Sequence, residues 1–179
     1  MKRRVGGRRS RSSLWINAYN VFTIELILQH YPLQSIKDIA GSVPMINSPW
    51  DLKFFSIGGL PFDLNTIEHE ILRREFAEPR IHFAINCASR SCPKLRIEAY
   101  AAEHLKAQLE DQTRFFVNRS GKNQITGEKI SLSPIFQWFQ SDFTRNGSLI
   151  DFLNQYSEIA IDPDAKVEYL DYDWGLNER

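Results

Sequence analysis

The sequence predicts a single α+β domain over residues 14–179, with several helices packed on short strands and hairpins. Three observations carry that expectation. A chain of 179 residues with 42% hydrophobic and 25% charged side chains has the length and composition of one ordinary globular core. Apolar residues recur at helical spacing in several stretches, whereas paired β-prone runs around glycine mark hairpins. Helices and hairpins follow one another without the regular strand–helix–strand rhythm of a doubly wound sheet.

The elements follow in order. Trp15, Tyr19, Phe22 and Leu26 share one helical face, predicting a helix over Leu14–Tyr31 that Pro32 stops and a core role for Trp15, Tyr19 and Phe22. Residues 41–49 read as a loop rich in Gly, Ser, Pro and Asn. Phe54–Ile57 and Leu60–Phe62 flank Gly58-Gly59 as a hairpin. Asn65 with Glu68 resembles a capping box and starts a helix that runs to about Phe76. Arg80–Asn86 alternates as a strand, with Ile81, Phe83 and Ile85 on one side and His82, Ala84 and Asn86 on the other. A loop over Cys87–Pro93 precedes a long amphipathic helix from about Glu98 to Phe116. Gln124–Thr126 and Lys129–Leu132 form a second hairpin around Gly127. Short helices near Ser133–Gln140 and Ser148–Tyr156 and a last strand, Val167–Tyr172, complete the chain.

Charge is balanced overall but unevenly placed. Lys2, Arg3, Arg4, Arg8, Arg9 and Arg11 crowd the first twelve residues, leaving sixteen basic against twenty-two acidic groups in the body. Residues 1–13 read as a disordered basic tail or a truncated start, and the tail is expected to be dispensable for stability. It lacks the interleaved aromatics of a single-strand binder, so no nucleic-acid partner is expected. The apolar run Leu14–Leu28 is too short to span a membrane and has no cleavage site after it, so no targeting or transmembrane segment is expected. A signal upstream of this start and the oligomeric state stay open, and no cofactor is expected.

Several residues have side chains suited to chemistry. Asn17 and Asn20 lie on an otherwise apolar helical stripe with Ile24 and Ile27, so their amides must find partners. They either tie the helix to neighbouring loops or orient a catalytic group. His69-Glu70-Ile71-Leu72-Arg73 opens like a zinc-protease helix but has Arg73 where the second histidine belongs, which excludes that motif. The densest constellation is Arg80 to Pro93, with His82, Asn86, Cys87 and Cys92. A thiol needs a base to act near neutral pH, and an imidazole supplies one. A strand running straight through Cys87 would hold its thiol away from His82, so either the chain turns at Asn86–Cys87 or His69 is the base. Pro93 at a first helical position would make Cys92 an N-cap thiol. Alternatively Cys87 is a small buried hydrophobe and Cys92 a loop thiol, or a disulfide closes the loop. His30 and His104 read as surface residues.

Trp15-Ile-Asn-Ala-Tyr-Asn20, Ile67-Glu-His69 with Ile71-Leu-Arg73, and Pro79 through Cys87 to Ser91-Cys-Pro93 resemble, in order, the signature blocks of domain of unknown function family 547 (DUF547). Leu132 to Trp138 and Ser141-Asp-Phe143 also fit its pattern, so the resemblance runs from about residue 14 to the end. It implies that Asn17, Asn20, Glu68, His69, His82 and Cys87 belong to the family motif, and that Cys87 is the firmer cysteine because serine can stand at the Cys92 position. Members occur in bacteria and plants, some with a coiled-coil extension, and carry further sequence before the first block, so an N-terminal helix is expected to be missing here. Their reaction is not established.

Three functions compete at this point. The leading one is a thiol-dependent hydrolase or acyltransferase, with a fold distantly like the cysteine hydrolases. Cys87 is its nucleophile, His82 or His69 its base, Glu68 and Asn17 its orienting groups, and Asn86 or loop amides its oxyanion donors. The second is a hydrolase-like metal site of His69, His82 and a cysteine, joined by Glu68. The third is a non-catalytic interaction module.

Overall fold

The computed structural model describes residues 7–42 and 48–178. Lys2, Arg3 and Arg4 of the expected tail, and residues 43–47 of the expected loop, lie outside the described residues. Helices and short sheets mix as an α+β arrangement.

Helix α1 spans Arg8–His30, beginning six residues before the expected Leu14. The basic stretch helps to dock it. Arg8 donates to the Phe76 carbonyl, Arg11 pairs with Glu75, and Ser12 and Ser13 are buried. Arg8–Ser13 are therefore helical rather than tail, because charge at those positions meets Glu75 and the Phe76 carbonyl. Deleting residues 1–12 is expected to lower the melting temperature by about 4 °C or more, measurable by differential scanning calorimetry. Tyr19 and Leu26 are sealed in the core with Ile16, but Trp15 and Phe22 are half-buried and lie against the first hairpin. Phe22 stacks on Phe55 with ring centroids 3.7 Å apart. Tyr31 is extended, as the residue before Pro32 requires.

Helix α2 (Asp38–Ser42) takes in Gly41 and Ser42 of the expected loop, and a single 3₁₀ turn, Pro49–Asp51, follows the undescribed residues. Strands β1 (Phe55–Ile57) and β2 (Leu60–Phe62) pair antiparallel around Gly58 and Gly59, whose φ values of 61° and 82° suit a tight hairpin turn. Helix α3 is π-helical over Thr66–Arg73 and α-helical over Arg74–Phe76. Asp63 rather than Asn65 caps its start, accepting from the Thr66 N–H at 2.6 Å. Glu68 is buried and turned inward, so it completes no capping box.

Arg80–Asn86 is not a strand. Pro79–Phe83 forms a 3₁₀ helix, with Pro79 in its first turn and the Glu78 carboxylate accepting from the Arg80 N–H. The Ala84 and Ile85 amides both return to the Ile81 carbonyl, at 2.8 and 3.0 Å. Ile81, Ala84 and Ile85 enter one hydrophobic cluster, beneath α1 and α3, while Phe83 enters the other. A segment passing between two cores buries every residue from Ile81 to Asn86, and the apparent alternation reflects two destinations rather than two faces of a sheet.

Helix α4 covers Leu105–Asn118 and starts later than expected. The Asn17 side chain both donates to the Tyr100 carbonyl and accepts from its N–H, each at 2.9 Å, and Gln108 holds the Ala101 N–H. Backbone groups tied this way are withheld from a helix. Strands β3 (Gln124–Ile125) and β4 (Lys129–Leu132) pair antiparallel, and β5 (Lys166–Tyr169) joins β4 in parallel with Ile130 opposite Val167. Short helices α5 (Ile135–Trp138), α6 (Gln140–Phe143) and α7 (Leu149–Asn154) follow β4, the last with a Ser148/Asp151 capping box. After β5 the chain returns over the cysteine loop. Arg90 and Ser91 amides donate to Gly175 and Asp173 carbonyls, and the Asn177 amide to that of Ala88. Among the described residues no helix is long and apolar enough to cross a membrane.

Candidate functional site

A cavity of about 170 Å³ opens where α1, α3, the 3₁₀ segment, the cysteine loop, α5 and the C-terminal strap meet. Glu68, His69, His82, Cys87 and Cys92 all line it, so five side chains singled out from sequence share one wall system. Its other walls are largely aromatic, including Trp50, Trp138, Phe139, Tyr172 and Trp174. The glutamate and His69 come from the π-helical part of α3, a backbone form that recurs at functional sites.

His82 is buried, with its ring stacked on Phe139 at 3.9 Å between centroids. Its Nε2 lies 2.9 Å from Asp142 Oδ2. A carboxylate only accepts, so Nε2 carries the proton and Nδ1 of the neutral ring presents a lone pair. That Nδ1 is buried without a hydrogen-bond partner among the described residues, and Glu68 Oε1 is 3.9 Å away. Burial lowers His82 to about 4, more than the Asp142 hydrogen bond raises it, which keeps the ring neutral near pH 7. Burial would raise Asp142, but hydrogen bonds from His82 and Arg73 outweigh it and hold the carboxylate well below its usual range. Arg73 donates to Asp142 Oδ2 at 2.6 Å, and Arg145 to Oδ1 at 2.7 Å.

Burial pushes Glu68 up to about 7, against a hydrogen bond from the Tyr19 hydroxyl at 3.1 Å that lowers it. Glu68 is thus a carboxylic acid poised to exchange a proton near neutrality. His69 is half-buried and within 2.8 Å of Arg73 Nη1 through its Nδ1; burial first, and the Arg73 charge second, lower its pKa.

Glu68 and His82 act oppositely on stability. Glu68 holds its proton more tightly folded than unfolded, so its contribution is complete below about pH 4.5 and is lost as pH rises through about 7. His82 contributes above its ordinary 6.5 and loses that contribution as pH falls through about 4. Glu68→Gln removes the first effect alone. Relative to the unsubstituted protein, the variant is expected to gain about 1–3 kcal/mol between pH 4.5 and 7.5. Chemical denaturation at the two pH values checks this, and an unchanged difference would contradict a buried, titrating Glu68.

The cysteines form a Cys87–Cys92 disulfide. The disulfide that the sequence left open as an alternative closes the loop, so Cys87 is not a free thiol in this state. No helix starts at Pro93, so Cys92 is not an N-cap. The Cys87 N–H donates to Cys92 Sγ at 2.9 Å, and the Tyr172 hydroxyl lies 3.2 Å from Cys87 Sγ and 3.4 Å from Cys92 Sγ. Among the described residues no group of three or more His, Cys, Asp or Glu side chains is placed to hold a metal. The expected His69–His82–cysteine set is engaged otherwise, with Arg73, with Asp142 and in the disulfide.

The asparagines build the frame around the cavity. Asn17 bonds the Tyr100 backbone. Asn20 donates to the Ala84 carbonyl at 3.0 Å and accepts from the Asn86 N–H at 2.9 Å. Asn86 donates to the Pro93 carbonyl and accepts from the Ala88 N–H, which spans the cysteine loop and commits the amide that an oxyanion role would need. Asn20 and Asn86 face a separate groove of about 790 Å³, on the other side of that loop, which shares only Cys92 and Pro93 with the aromatic cavity.

Asp142, Arg73, Tyr19 and Tyr172 were not singled out as site residues from sequence. Tyr19, Arg73 and Asp142 each lay inside a resemblance block, Trp15–Asn20, Ile71-Leu-Arg73 and Ser141-Asp-Phe143 respectively, whereas Tyr172 carried no signal beyond its place in the last expected strand. The model of a family described as "Protein of unknown function, DUF547" matches residues 5–117, a span holding Asn17 to Cys92 and ending before Asp142. No curated protein and no solved structure matches the chain, and the expected likeness to cysteine hydrolases is left without support.

Proposed function

The chain belongs to the DUF547 family, and within that family we propose that its aromatic cavity is a thiol-dependent hydrolase or acyltransferase site, competent when the disulfide is reduced. One observation carries the reading: Cys87 lines a single cavity with Glu68, His69 and His82. In the reduced protein the Cys87 thiolate attacks an acyl carbonyl, and the thioester forms as the leaving group departs with a proton. Water or an acceptor nucleophile then releases the acyl group and restores the thiol. Neutral His82, held by Asp142, receives protons at Nδ1, and Glu68 exchanges them near neutral pH. The aromatic walls favour flat or apolar acyl groups.

Reduced protein should turn over an activated aryl ester, and iodoacetamide should label Cys87 with an inflection below the ~8.5 of an ordinary thiol. Cys87→Ala should abolish both. Hydrolysis that survives Cys87→Ala, or a Cys87 no more reactive than free cysteine, would refute the proposal. The competing reading, an interaction module, is favoured by the exposed Leu14, Val21 and Leu28 on α1, and a self-associating or partner-retaining protein without Cys87-dependent turnover would support it.

A further inference from the structure

We infer that Cys87 is the sulfur at which a compact, uncharged thiol opens the Cys87–Cys92 disulfide, with Cys92 as the leaving and then the resolving sulfur. Access and the arrangement of donors both point this way. Both cysteines line the aromatic cavity, but Cys87 is half-buried whereas Cys92 is only 5% exposed. A cavity of about 170 Å³ admits a small thiol. Its lining has Trp50, Trp138, Phe139, Trp174 and Glu68 but no Lys or Arg side chain, and Lys37 and Arg73 are engaged over the Trp174 and Phe139 rings, which disfavours an anionic reagent.

The donors decide which sulfur leaves. Cys92 Sγ accepts the Cys87 backbone N–H at 2.9 Å, a donor fixed by the loop, whereas Cys87 Sγ has the Ser89 hydroxyl beside it at 3.4 Å and, among the described residues, no backbone donor. Ser89 Oγ donates to the Tyr172 oxygen at 2.9 Å, which commits the serine proton and leaves the tyrosine proton directed at the sulfur pair. Burial raises Tyr172 to about 12, so that proton is present at neutral pH. When the incoming thiolate bonds to Cys87 Sγ, the Cys87–Cys92 bond breaks and its electron pair passes to Cys92 Sγ. The Tyr172 hydroxyl, 3.2 Å from Cys87 Sγ and 3.4 Å from Cys92 Sγ, can serve either sulfur, so it is the Cys87 amide, held on the new thiolate, that makes Cys92 the better leaving group. In the reverse step Cys92 attacks the mixed disulfide at Cys87 and expels the small thiol. A second equivalent of thiol attacking the adduct sulfur leaves both cysteines reduced and the reagent as its own disulfide. This exchange requires no acyl chemistry, so it is tested separately from the hydrolase proposal.

The experiment uses the oxidised protein, limiting β-mercaptoethanol, rapid quenching with N-ethylmaleimide and peptide mass spectrometry. The expected result is a mercaptoethanol adduct on Cys87 and maleimide on Cys92, with the opposite pattern at least about tenfold rarer. Tyr172→Phe should keep the disulfide and slow its opening several-fold. At equal thiolate concentration, 2-mercaptoethanesulfonate should react more slowly than β-mercaptoethanol. An adduct mainly on Cys92, which also lines the larger groove, would overturn the inference. So would equal labelling of the two sulfurs, or faster reaction with the sulfonate.

Discussion

Phe83→Ala is expected to destabilise the protein by about 3–5 kcal/mol, among the largest effects of any single truncation. Phe83 is fully buried and lies within 4.8–6.5 Å, centroid to centroid, of Phe116, Phe136, Phe143 and Phe152. Those rings come from α4, α5, α6 and α7, so Phe83 is a contact shared by four elements. Truncation therefore leaves a cavity that no single helix shift can fill, and it removes aromatic contacts as well as buried area. The position has a second consequence. Phe83 adjoins His82, so a collapse of its ring site should disturb the His82–Phe139 stack. Urea unfolding monitored by circular dichroism gives the loss directly. A cost below about 1 kcal/mol would mean that the second cluster is not organised around this ring.

The parts of the fold that sequence made legible are those where a local signal agrees with the final environment. The Gly58-Gly59 hairpin follows from positive φ at both turn positions, which glycine adopts without strain, and Pro32 ends α1 wherever α1 packs. The failures share a cause, which is that tertiary contacts overrode local pattern. Ile81, Phe83 and Ile85 alternate as in a strand because two cores compete for them. Glu98–His104 reads as helix, but Asn17, distant in sequence, takes the Tyr100 backbone groups. Arg8–Ser13 reads as a solvated basic tail because its partners, Glu75 and the Phe76 carbonyl, are not visible from composition. The site divides in the same way. Glu68, His69, His82 and Cys87 were legible as chemistry-bearing types, and the structure gathers them around one cavity. Asp142 was not, because an aspartate between Ser141 and Phe143 looks like any helix-start acid until His82 and Arg73 are seen to converge on it.

That convergence makes Asp142 the position where stability and reactivity should separate most informatively. Its carboxylate is buried and accepts from His82, Arg73 and Arg145. Asp142→Ala leaves the Arg73 guanidinium and the His82 N–H facing an apolar gap, and the expected loss is about 3–5 kcal/mol. Asp142→Asn keeps the shape and one acceptor but not the charge, so its expected loss is smaller, about 1–3 kcal/mol. The amide also offers a donor that the carboxylate lacks. If its NH₂ turns toward His82, the ring proton moves to Nδ1 and the lone pair facing Glu68 disappears. Under the thiol proposal, the reduced Asp142→Asn protein should therefore alkylate at Cys87 at least about tenfold more slowly at pH 7 while remaining folded. Nitrogen chemical shifts of His82 report the tautomer independently of any activity. A variant that keeps the Nε2–H tautomer and full Cys87 reactivity would assign Asp142 to holding Arg73 and Arg145 in place, and would remove His82 from the chemistry of the cavity.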